Sequence, residues 1–156
     1  MNIAYNPDGA SMTRDDLFAW CLSVLDLVVS PGIFTAPDPA VVIQITQPDY
    51  PYIFEASTIA DDRVTLGGIG YSKLRYTARM GNWTFSNIWQ AEISDWRLWY
   101  AATQGFRLPF VVDLPDGSGG AIVRAPCAFP LALTAFERWG TNGADSNTLL
   151  VQEVLA

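Results

Sequence analysis

Residues 83–120 decide the fold, and they read WTFSNIWQAEISDWRLWYAATQGFRLPFVVDLPDGSGG. Over residues 83–93 the odd positions are apolar except Asn87, and the even positions are polar except Ile88. An alternation of period two is typical of a strand with one buried and one wet face. The stretch therefore predicts a long strand in which Trp83 and Trp89 share the apolar face.

A short aromatic helix is predicted directly after this strand. Ser94 has a capping side chain, Asp95 suits the positive end of the helix dipole, and Gly105 stands where a C-terminal glycine belongs. The residues at i, i+3, i+4 and i+7 form one stripe: Trp96, Trp99, Tyr100 and Thr103. This spacing indicates a packing element.

A hairpin is predicted to close the stretch. Residues 106–114, FRLPFVVDL, form its first strand, and the glycine-rich PDGSGG of residues 115–120 forms its turn. Residues 113–118 are acidic and contain glycine, but they lack the spacing and the terminal glutamate of an EF-hand loop. We therefore interpret them as a turn and not as a calcium site.

Before residue 41 the sequence predicts an irregular arm over residues 1–12 and an appended helix over residues 13–30. Thr13 and Asp16 resemble a capping box. The polar or small residues of the helix fall on one stripe: Asp15, Ala19, Ser23, Asp26 and Ser30. A helix with one narrow polar stripe is buried on most of its circumference. It either lies across a sheet or is sandwiched between the sheet and another subunit.

Residues 41–156 are predicted to form a β-rich core. Strands are expected at 41–46, 53–56, 63–66, 71–80, 121–125 and 148–155, with turns at 61–62, 67–70, 81–82 and 141–147 and a proline-broken extended segment at 127–136. The elements predict a single α+β, β-rich domain over residues 1–156. Its expected architecture is an antiparallel β-sandwich or barrel-like sheet with one short internal helix and an extra N-terminal helix.

The composition narrows the classes of function. The chain is 50% hydrophobic, 13% aromatic and only 16% charged, where a typical soluble domain is about 25% charged. Either a partner covers some of the surface, or this is a well-packed β protein. The net charge is −7, with eight arginines and one lysine, which argues against a dedicated nucleic-acid binder.

The residues for reaction chemistry are scarce. The chain has no histidine, the commonest general base and metal ligand. Cys21 and Cys127 lie far apart without a CxxC motif, so neither a zinc site nor a redox motif is predicted, and their spacing does not favour a disulfide. Cys21 has the pattern of a small buried hydrophobe. We expect no catalytic, cofactor-binding or metal-binding residues and no enzyme activity.

The sequence also lacks membrane signals. The first nine residues have neither the basic region nor the apolar core of a signal peptide, and the longest apolar stretch, residues 17–29, is too short to span a bilayer. We therefore expect a chain made in the cytoplasm without a membrane partner.

One predicted strand carries a basic face. Lys73, Arg75 and Arg79 share one parity within residues 71–80. They form either a solvated strand face or a surface that pairs with acids of a neighbouring subunit, a role that suits arginine.

The order of elements from residue 63 to the C-terminus carries a family resemblance. A glycine turn with Gly70, Tyr71 and Ser72 leads to a strand and then to the tryptophan-bearing strand 83–93. A short helix ending in glycine, an aromatic segment at 106–110, a proline turn and a closing strand ending QEV at 152–154 follow. This order resembles the minor tail protein M and distal tail proteins of long-tailed bacteriophages. The N-terminal helix before a sheet is also similar to tail terminator proteins, which cap the head-proximal end.

The resemblance implies a structural function in the virion tail. Such proteins form a closed ring, usually of six copies, at the end of the tail tube and join it to the tail-tip or baseplate hub. The implied partners are further copies, the tube protein and the hub protein, and DNA is only cargo passing through an acidic lumen. The candidate subunit-interface residues are Trp20, Asp26, Lys73, Arg75, Arg79, Trp83, Trp89 and Trp99.

A different class of function stays open beside this one. A β-sandwich module that binds carbohydrate or peptide would use surface tryptophans, Trp83 or Trp89, as a stacking platform.

Overall fold

The structure, a computed structural model, describes residues 1–27, 36–37, 39–68, 70–114, 119–125 and 145–154. At residues 57–62, 71–76, 87 and 145–147 the description covers the backbone and not the side chains. Some predictions fall outside the described residues, including those for the extended segment 127–136, for Cys127 and for the helix end at 28–30.

One antiparallel sheet of seven strands organises the described residues. The strands are β1 Asn2–Tyr5, β2 Val41–Gln44, β3 Glu55–Val64, β4 Gly70–Ile88, β5 Phe110–Asp113, β6 Gly120–Arg124 and β7 Asp145–Glu153. The helices are α1 Arg14–Leu27 and α2 Ile93–Ala102, with 3-10 turns at Gly9–Ser11 and Gln90–Glu92. The sheet order is β2-β1-β5-β6-β7-β4-β3. The predicted β-rich α+β class is confirmed, and the sheet is open and single, not closed into a barrel.

The N-terminal residues are not an irregular arm, so this prediction was wrong. Strand β1 lies inside the sheet and pairs with β2 on one side and β5 on the other. Ile3 and Ala4 are both fully buried, on opposite faces of the sheet. A four-residue strand buried on both faces shows no alternation of apolar and polar residues, so the sequence pattern could not reveal it.

The central strands hold two separate cores, one on each face of the sheet. Tyr5, Phe110 and Val123 pack into the larger, aromatic core. The intervening residues of the same strands, Ala4, Val111 and Ile122, pack against α1. Successive side chains of a strand point to opposite faces, so β1, β5 and β6 contribute to both cores.

Helix α1 is a core helix on one side only. The predicted capping box is confirmed, because Thr13 Oγ1 accepts the Asp16 backbone N–H at 3.2 Å and donates to Asp16 Oδ2 at 2.7 Å. The helix packs on β5 and β6 through four buried residues: Leu17, Trp20, Cys21 and Val24. Burial on most of the circumference was a wrong prediction, since Leu22 is exposed on the outer side together with Asp26.

The aromatic stripe of α2 packs as predicted. The ring centroids of Trp99 lie 4.4 Å from Phe106 and 4.8 Å from Phe110, and Trp96 lies 5.0 Å from Phe85. Most of these pairs are edge-on or tilted, the geometry that aromatic pairs favour. The buried Thr103 hydroxyl completes the stripe by donating to the Trp99 carbonyl oxygen at 2.7 Å.

The C-terminal end of α2 lies close to where the sequence predicts it, whereas the N-terminal cap differs from the prediction. Gly105 has a φ of +73°, and its N–H donates to the Tyr100 carbonyl at 2.8 Å, so the glycine takes part in closing the helix. It lies one residue beyond the usual glycine position, which Gln104 occupies with a φ of 52° and an N–H that donates to the Ala101 carbonyl at 3.2 Å. Ser94 is not the cap, because the helix begins at Ile93 after the 3-10 turn and Ser94 lies exposed within the first turn.

The tryptophan-bearing strand ends earlier than predicted. Near its end, buried side chains move from odd-numbered to even-numbered positions. The pairing of β4 with β7 is irregular between Phe85 and Ile88. Trp83, Phe85 and Ile88 are buried, whereas Trp89 is 64% exposed. An irregularity of this kind inserts a residue into one strand and reverses which face the following side chains take. Trp89 therefore does not share the buried face of Trp83.

Two predicted turns are absent because the strands run through them. Strand β3 continues through residues 61–62 with a register shift between Ile59 and Ala60, and β4 continues through Gly81. Gly81 is needed for close approach, since a Cβ built there would lie 1.6 Å from the Ile53 carbonyl oxygen. The glycine turn before β4 is confirmed by the bond from the Gly68 N–H to the Thr65 carbonyl at 2.9 Å.

The last hairpin forms, but its first strand is shorter than the predicted 106–114, because residues 106–109 are not strand and β5 begins at Phe110. Residues 115–118 of the predicted turn lie outside the described residues. Strands β5 and β6 pair from Phe110 with Val123 to Asp113 with Gly120, and the Leu114 N–H donates to the Gly119 carbonyl at 2.8 Å. Residues 145–147, predicted to be loop, are the start of β7.

Replacing Trp99 by alanine should destabilise the fold by about 3–5 kcal/mol, because Trp99 is only 1% exposed and its removal leaves a cavity in the aromatic core. Urea unfolding followed by circular dichroism measures the loss. The matched control is Trp89→Ala, which removes the same side chain from an exposed position and should change stability by about 0.5 kcal/mol or less. A loss below about 1 kcal/mol for Trp99→Ala would contradict this packing.

Replacing Gly81 by alanine should cost more than about 2 kcal/mol, since the new methyl group meets backbone atoms that cannot rotate away. The control is Gly70→Ala in the same strand, where an added Cβ meets nothing within 4 Å. Gly70→Ala should be neutral or stabilising by roughly 0.5–1 kcal/mol. Equal unfolding free energies for the two variants would rule out the close approach of Ile53.

Candidate interaction surface

Three of the candidate interface tryptophans belong to the interior of the chain. Trp83 and Trp99 lie in the aromatic core, and Trp20 lies between α1 and the sheet. Their surface is already covered by their own chain, so it is not available to a neighbouring subunit. Their burial within the single chain therefore does not favour the interface role that was predicted for these three residues.

Trp89 and Asp26 remain on the surface. Trp89 follows the irregular end of β4, and its carbonyl accepts the N–H of Glu92 at 2.9 Å. Asp26 is exposed on the outer side of α1. The two residues belong to separate elements, and nothing in the described contacts brings them together.

An exposed face of α2 lies beside Trp89 along the chain. We define the α2 outer face as Ser94, Arg97, Leu98 and Ala101, all exposed and spaced so that they lie on one side of the helix. Leu98 is 63% exposed. The helical spacing already placed it away from the aromatic stripe, so this surface could have been found from sequence.

The cationic candidates on β4 differ from one another. Lys73 and Arg75 lie in the strand with undescribed side chains, and Lys73 is the register partner of Asp61. Arg79 binds an acid of its own chain: its Nη2 lies 2.7 Å from Glu153 Oε1, and its Nε donates to Glu153 Oε2 at 3.1 Å. Arg79 is therefore neither a purely solvated residue of the strand face nor in need of an acid from a neighbouring subunit.

Arg79 and Glu153 hold together the point at which β4 changes partner. The Arg79 backbone N–H also donates to Glu153 Oε2 at 3.1 Å. The Arg79 guanidinium lies 4.8 Å from the centroid of the Phe54 ring, and Phe54 packs edge-on against Trp83 at 5.4 Å. The hydrogen bond from Arg79 lowers the pKa of the Glu153 carboxyl below its ordinary value, and partial burial opposes this shift.

The described residues include a two-stranded arm at one end of the sheet. Strand β3 pairs with β4 from Glu55 with Met80 to Val64 with Gly70, whereas β7 pairs with β4 only from Met80 to Ile88. We call β3, the turn at residues 65–68 and residues 70–80 of β4 the β3–β4 ribbon. At about 3.3 Å per residue the ribbon extends about 30 Å. Among the described residues, no third strand pairs with it beyond Met80.

The tip of the ribbon is apolar and exposed. Val64 is 73% exposed, and Leu66 is fully exposed in the turn. A two-stranded ribbon is only marginally stable in water, and its strand edges carry free backbone donors and acceptors. The ribbon therefore offers both hydrogen-bonding groups and apolar side chains to a partner. The sequence did not reveal this arm, because residues 61–62 were interpreted as a turn.

The described residues contain little that could support reaction chemistry. No group of three or more histidine, cysteine or acidic side chains among them could hold a metal ion. Cys21 is a free, buried thiol, and burial raises its pKa to about 12. A thiol in this state is a poor nucleophile at neutral pH. Within the described part of the chain, no helix has the length and apolar character to cross a bilayer.

Comparison with known proteins gives no family for this chain. It matches no protein-family model, no curated protein and no solved structure. The resemblance to phage tail proteins stays a prediction.

The Arg79–Glu153 pair should make stability depend on pH. The pKa of Glu153 is lowered in the folded chain, so its stabilisation is present above the unfolded value of about 4.3 and is lost as the pH falls through the folded pKa. Glu153→Gln should cost on the order of 1 kcal/mol at pH 7, a modest figure because Arg79 is 36% exposed.

Urea unfolding between pH 7 and pH 3 measures this dependence. The stability difference between the original chain and Glu153→Gln should shrink as the pH falls. Glu55→Gln is the control, because it removes a carboxylate from an exposed position of β3 without touching Arg79. A difference that stays constant across this range would show that the pair does not contribute.

Proposed function

We propose that this chain is a structural subunit of a bacteriophage tail. It forms a closed homo-oligomeric ring, with six copies expected, at the end of the tail tube and joins the tube to the tail-tip or baseplate hub. The observation that carries the proposal is the β3–β4 ribbon with its exposed apolar tip at Val64 and Leu66. The resemblance of residues 63–156 to tail proteins supplies the identity of the assembly.

The ribbon supports assembly because the described packing within its own chain does not account for its length or for its exposed apolar tip. In the described residues it is attached to the sheet through β4 alone, and its tip exposes apolar side chains to water. Exposed apolar surface that protrudes from a domain is characteristic of interaction sites. A ring needs two different patches on each subunit, and a protruding ribbon can supply one or both of them.

The α2 outer face and Trp89 support a second kind of contact. Trp89 is of a residue type that the centres of protein interfaces favour, and the exposed Leu98 adds apolar surface to the α2 outer face. This surface lies at the other end of β4 from the ribbon tip, about nineteen residues away along the strand direction. We assign it to contacts with the neighbouring tail proteins, the tube protein or the hub protein.

The alternative position is the head-proximal end, where a tail terminator forms a similar ring. Helix α1, which follows β1 and precedes the other six described strands, favours this alternative, since the outline resembles that of terminator proteins. The net charge of −7 suits either end, because an acidic lumen repels the phosphates of passing DNA.

A second candidate function is a module that binds carbohydrate or peptide. The exposure of Trp89 favours it, since an accessible indole can stack on a sugar or an aromatic side chain. The buried Trp83 cannot take part. The β3–β4 ribbon has no role in such a module, so we place this function second.

The mass of the purified chain in solution separates the two functions. Light scattering after size exclusion should give about six times the mass of the chain, and negative-stain images should show a ring with a central hole. Trp89→Ala should leave this ring intact, because Trp89 lies in the surface assigned to other tail proteins. A stable monomer that binds a glycan array and loses that binding on Trp89→Ala would overturn the ring and establish the binding module.

A further inference from the structure

We propose that the ribbon joins copies of this chain by strand addition, with the β3 edge of one copy pairing with the free β4 edge of the next. This inference rests on the proposed ring function and names the contact that builds it. The occupant of each edge is therefore a second copy of this chain.

Both edges of the ribbon are open in the described residues. Strand β3 ends the sheet order, so its outer edge has no neighbouring strand among the described residues. On β4 the pairing with β7 begins at Met80, so within the described part of the chain residues 70–78 have a strand partner only on the β3 side. Each edge is about nine residues long, and alternate residues along it point their backbone donors and acceptors outward, where strand addition uses them for affinity.

The two edges carry opposite charge. Strand β3 contains Glu55, Asp61 and Asp62 against the single Arg63, and residues 70–78 of β4 contain Lys73 and Arg75 and no acid. Like charges opposed across strands are unfavourable, and opposite charges are favourable. Pairing of two β3 edges would oppose acids to acids, whereas pairing of β3 with β4 opposes acids to cations. The charges therefore select the contact between different edges.

The strand directions allow this contact to repeat. Strands β3 and β4 are antiparallel within the ribbon. When a second ribbon lies alongside in the same orientation, its β3 is antiparallel to the β4 of the first copy, so the sheet continues across the contact. A contact between two different edges is heterologous, and a heterologous contact closes into a ring when the rotation between copies permits.

The other sheet edge is a weaker candidate. Strand β2 has four residues, fewer than half of the ten in β3. It also contains no charged residue that could select a partner edge. The edges of the ribbon are longer than the β2 edge and carry complementary charges, so we assign the contact between copies to the ribbon.

A charge exchange between two single variants tests the pairing. Asp62→Arg makes the β3 edge more basic, and Arg75→Glu makes the β4 edge more acidic. Asp62 has Ser72 as its register partner, and Arg75 lies opposite the register shift at Ile59 and Ala60. Both substitutions therefore leave the register pair of Asp61 with Lys73 unchanged within the chain.

Each single variant should require a concentration roughly tenfold or more above that of the original chain to assemble, because it cancels the net charge of one edge and removes the attraction across every contact. A 1:1 mixture should assemble more readily than either single variant, since half of the contacts in an alternating ring again join an acidic β3 edge to a basic β4 edge. The double variant Asp62→Arg/Arg75→Glu, in which both edges are close to neutral, should assemble no better than the single variants. Asp15→Arg, an equal charge change at an exposed position of α1 that is not among the candidate interface residues, is the control and should assemble normally.

The outcomes separate this inference from the proposed function. If the original chain forms a ring and both single variants assemble equally well, the ribbon contact is overturned and the ring function stands. If only Asp62→Arg is affected, the contact joins two β3 edges and the inference is overturned. A stable monomer of the original chain at every concentration overturns both the inference and the ring.

Hydrogen exchange of the unmodified chain gives a second measurement that does not depend on the folding of the variants. Amides of residues 57–62 and 71–76 should exchange more slowly in the ring than in the diluted monomer, because added strands protect edge amides. The amides of α1 are the internal reference and should not change. Equal exchange of the ribbon amides in the two states would overturn strand addition.

Discussion

The change of partner along β4 is the constraint on which the rest of the structure depends. A single strand of nineteen residues pairs with β7 over its second half and with β3 over its first half, and the change occurs at Met80. Gly81 lets the Ile53 backbone approach at this point, and the Arg79–Glu153 pair joins β4 to the end of β7 beside it. One continuous strand thus runs from the hydrophobic core into the ribbon.

This arrangement distributes stability unevenly along β4. Near Trp83 and Phe85 the strand is covered by the aromatic core, where Trp96 packs 5.0 Å from Phe85. Beyond Met80 the described residues provide one partner strand and an exposed tip. Elements with few buried contacts open at low free energy, and such elements are the ones that binding can order. The core therefore fixes the base of the ribbon, and the strand addition proposed above would order the rest of its length.

Local signals could be predicted from the sequence, and long-range pairing could not. The capping box of Thr13 and Asp16, the packing stripe of α2 and the helix end near Gly105 are set by neighbours within one helical turn, and all three form. Strand β1 has no pattern of its own, because its burial depends on β2 and β5. Gly81 reads as a turn residue until the Ile53 carbonyl is placed beside it. In each case the deciding partner lies far away in sequence.

The same limit explains why aromatic residues were poor guides to the interaction surface. Periodicity can group side chains on one face, but it cannot show whether that face meets the chain's own core or another protein. The irregular pairing after Phe85 buries Ile88 and exposes Trp89, and no spacing of residues 83–93 encodes it. With Trp83 and Trp99 buried in the core, the strand edges of the ribbon become one of the surfaces through which the proposed assembly can form. Contacts through strand edges depend on backbone groups and on the sign of nearby charges, and neither of these is visible in the spacing of aromatic residues.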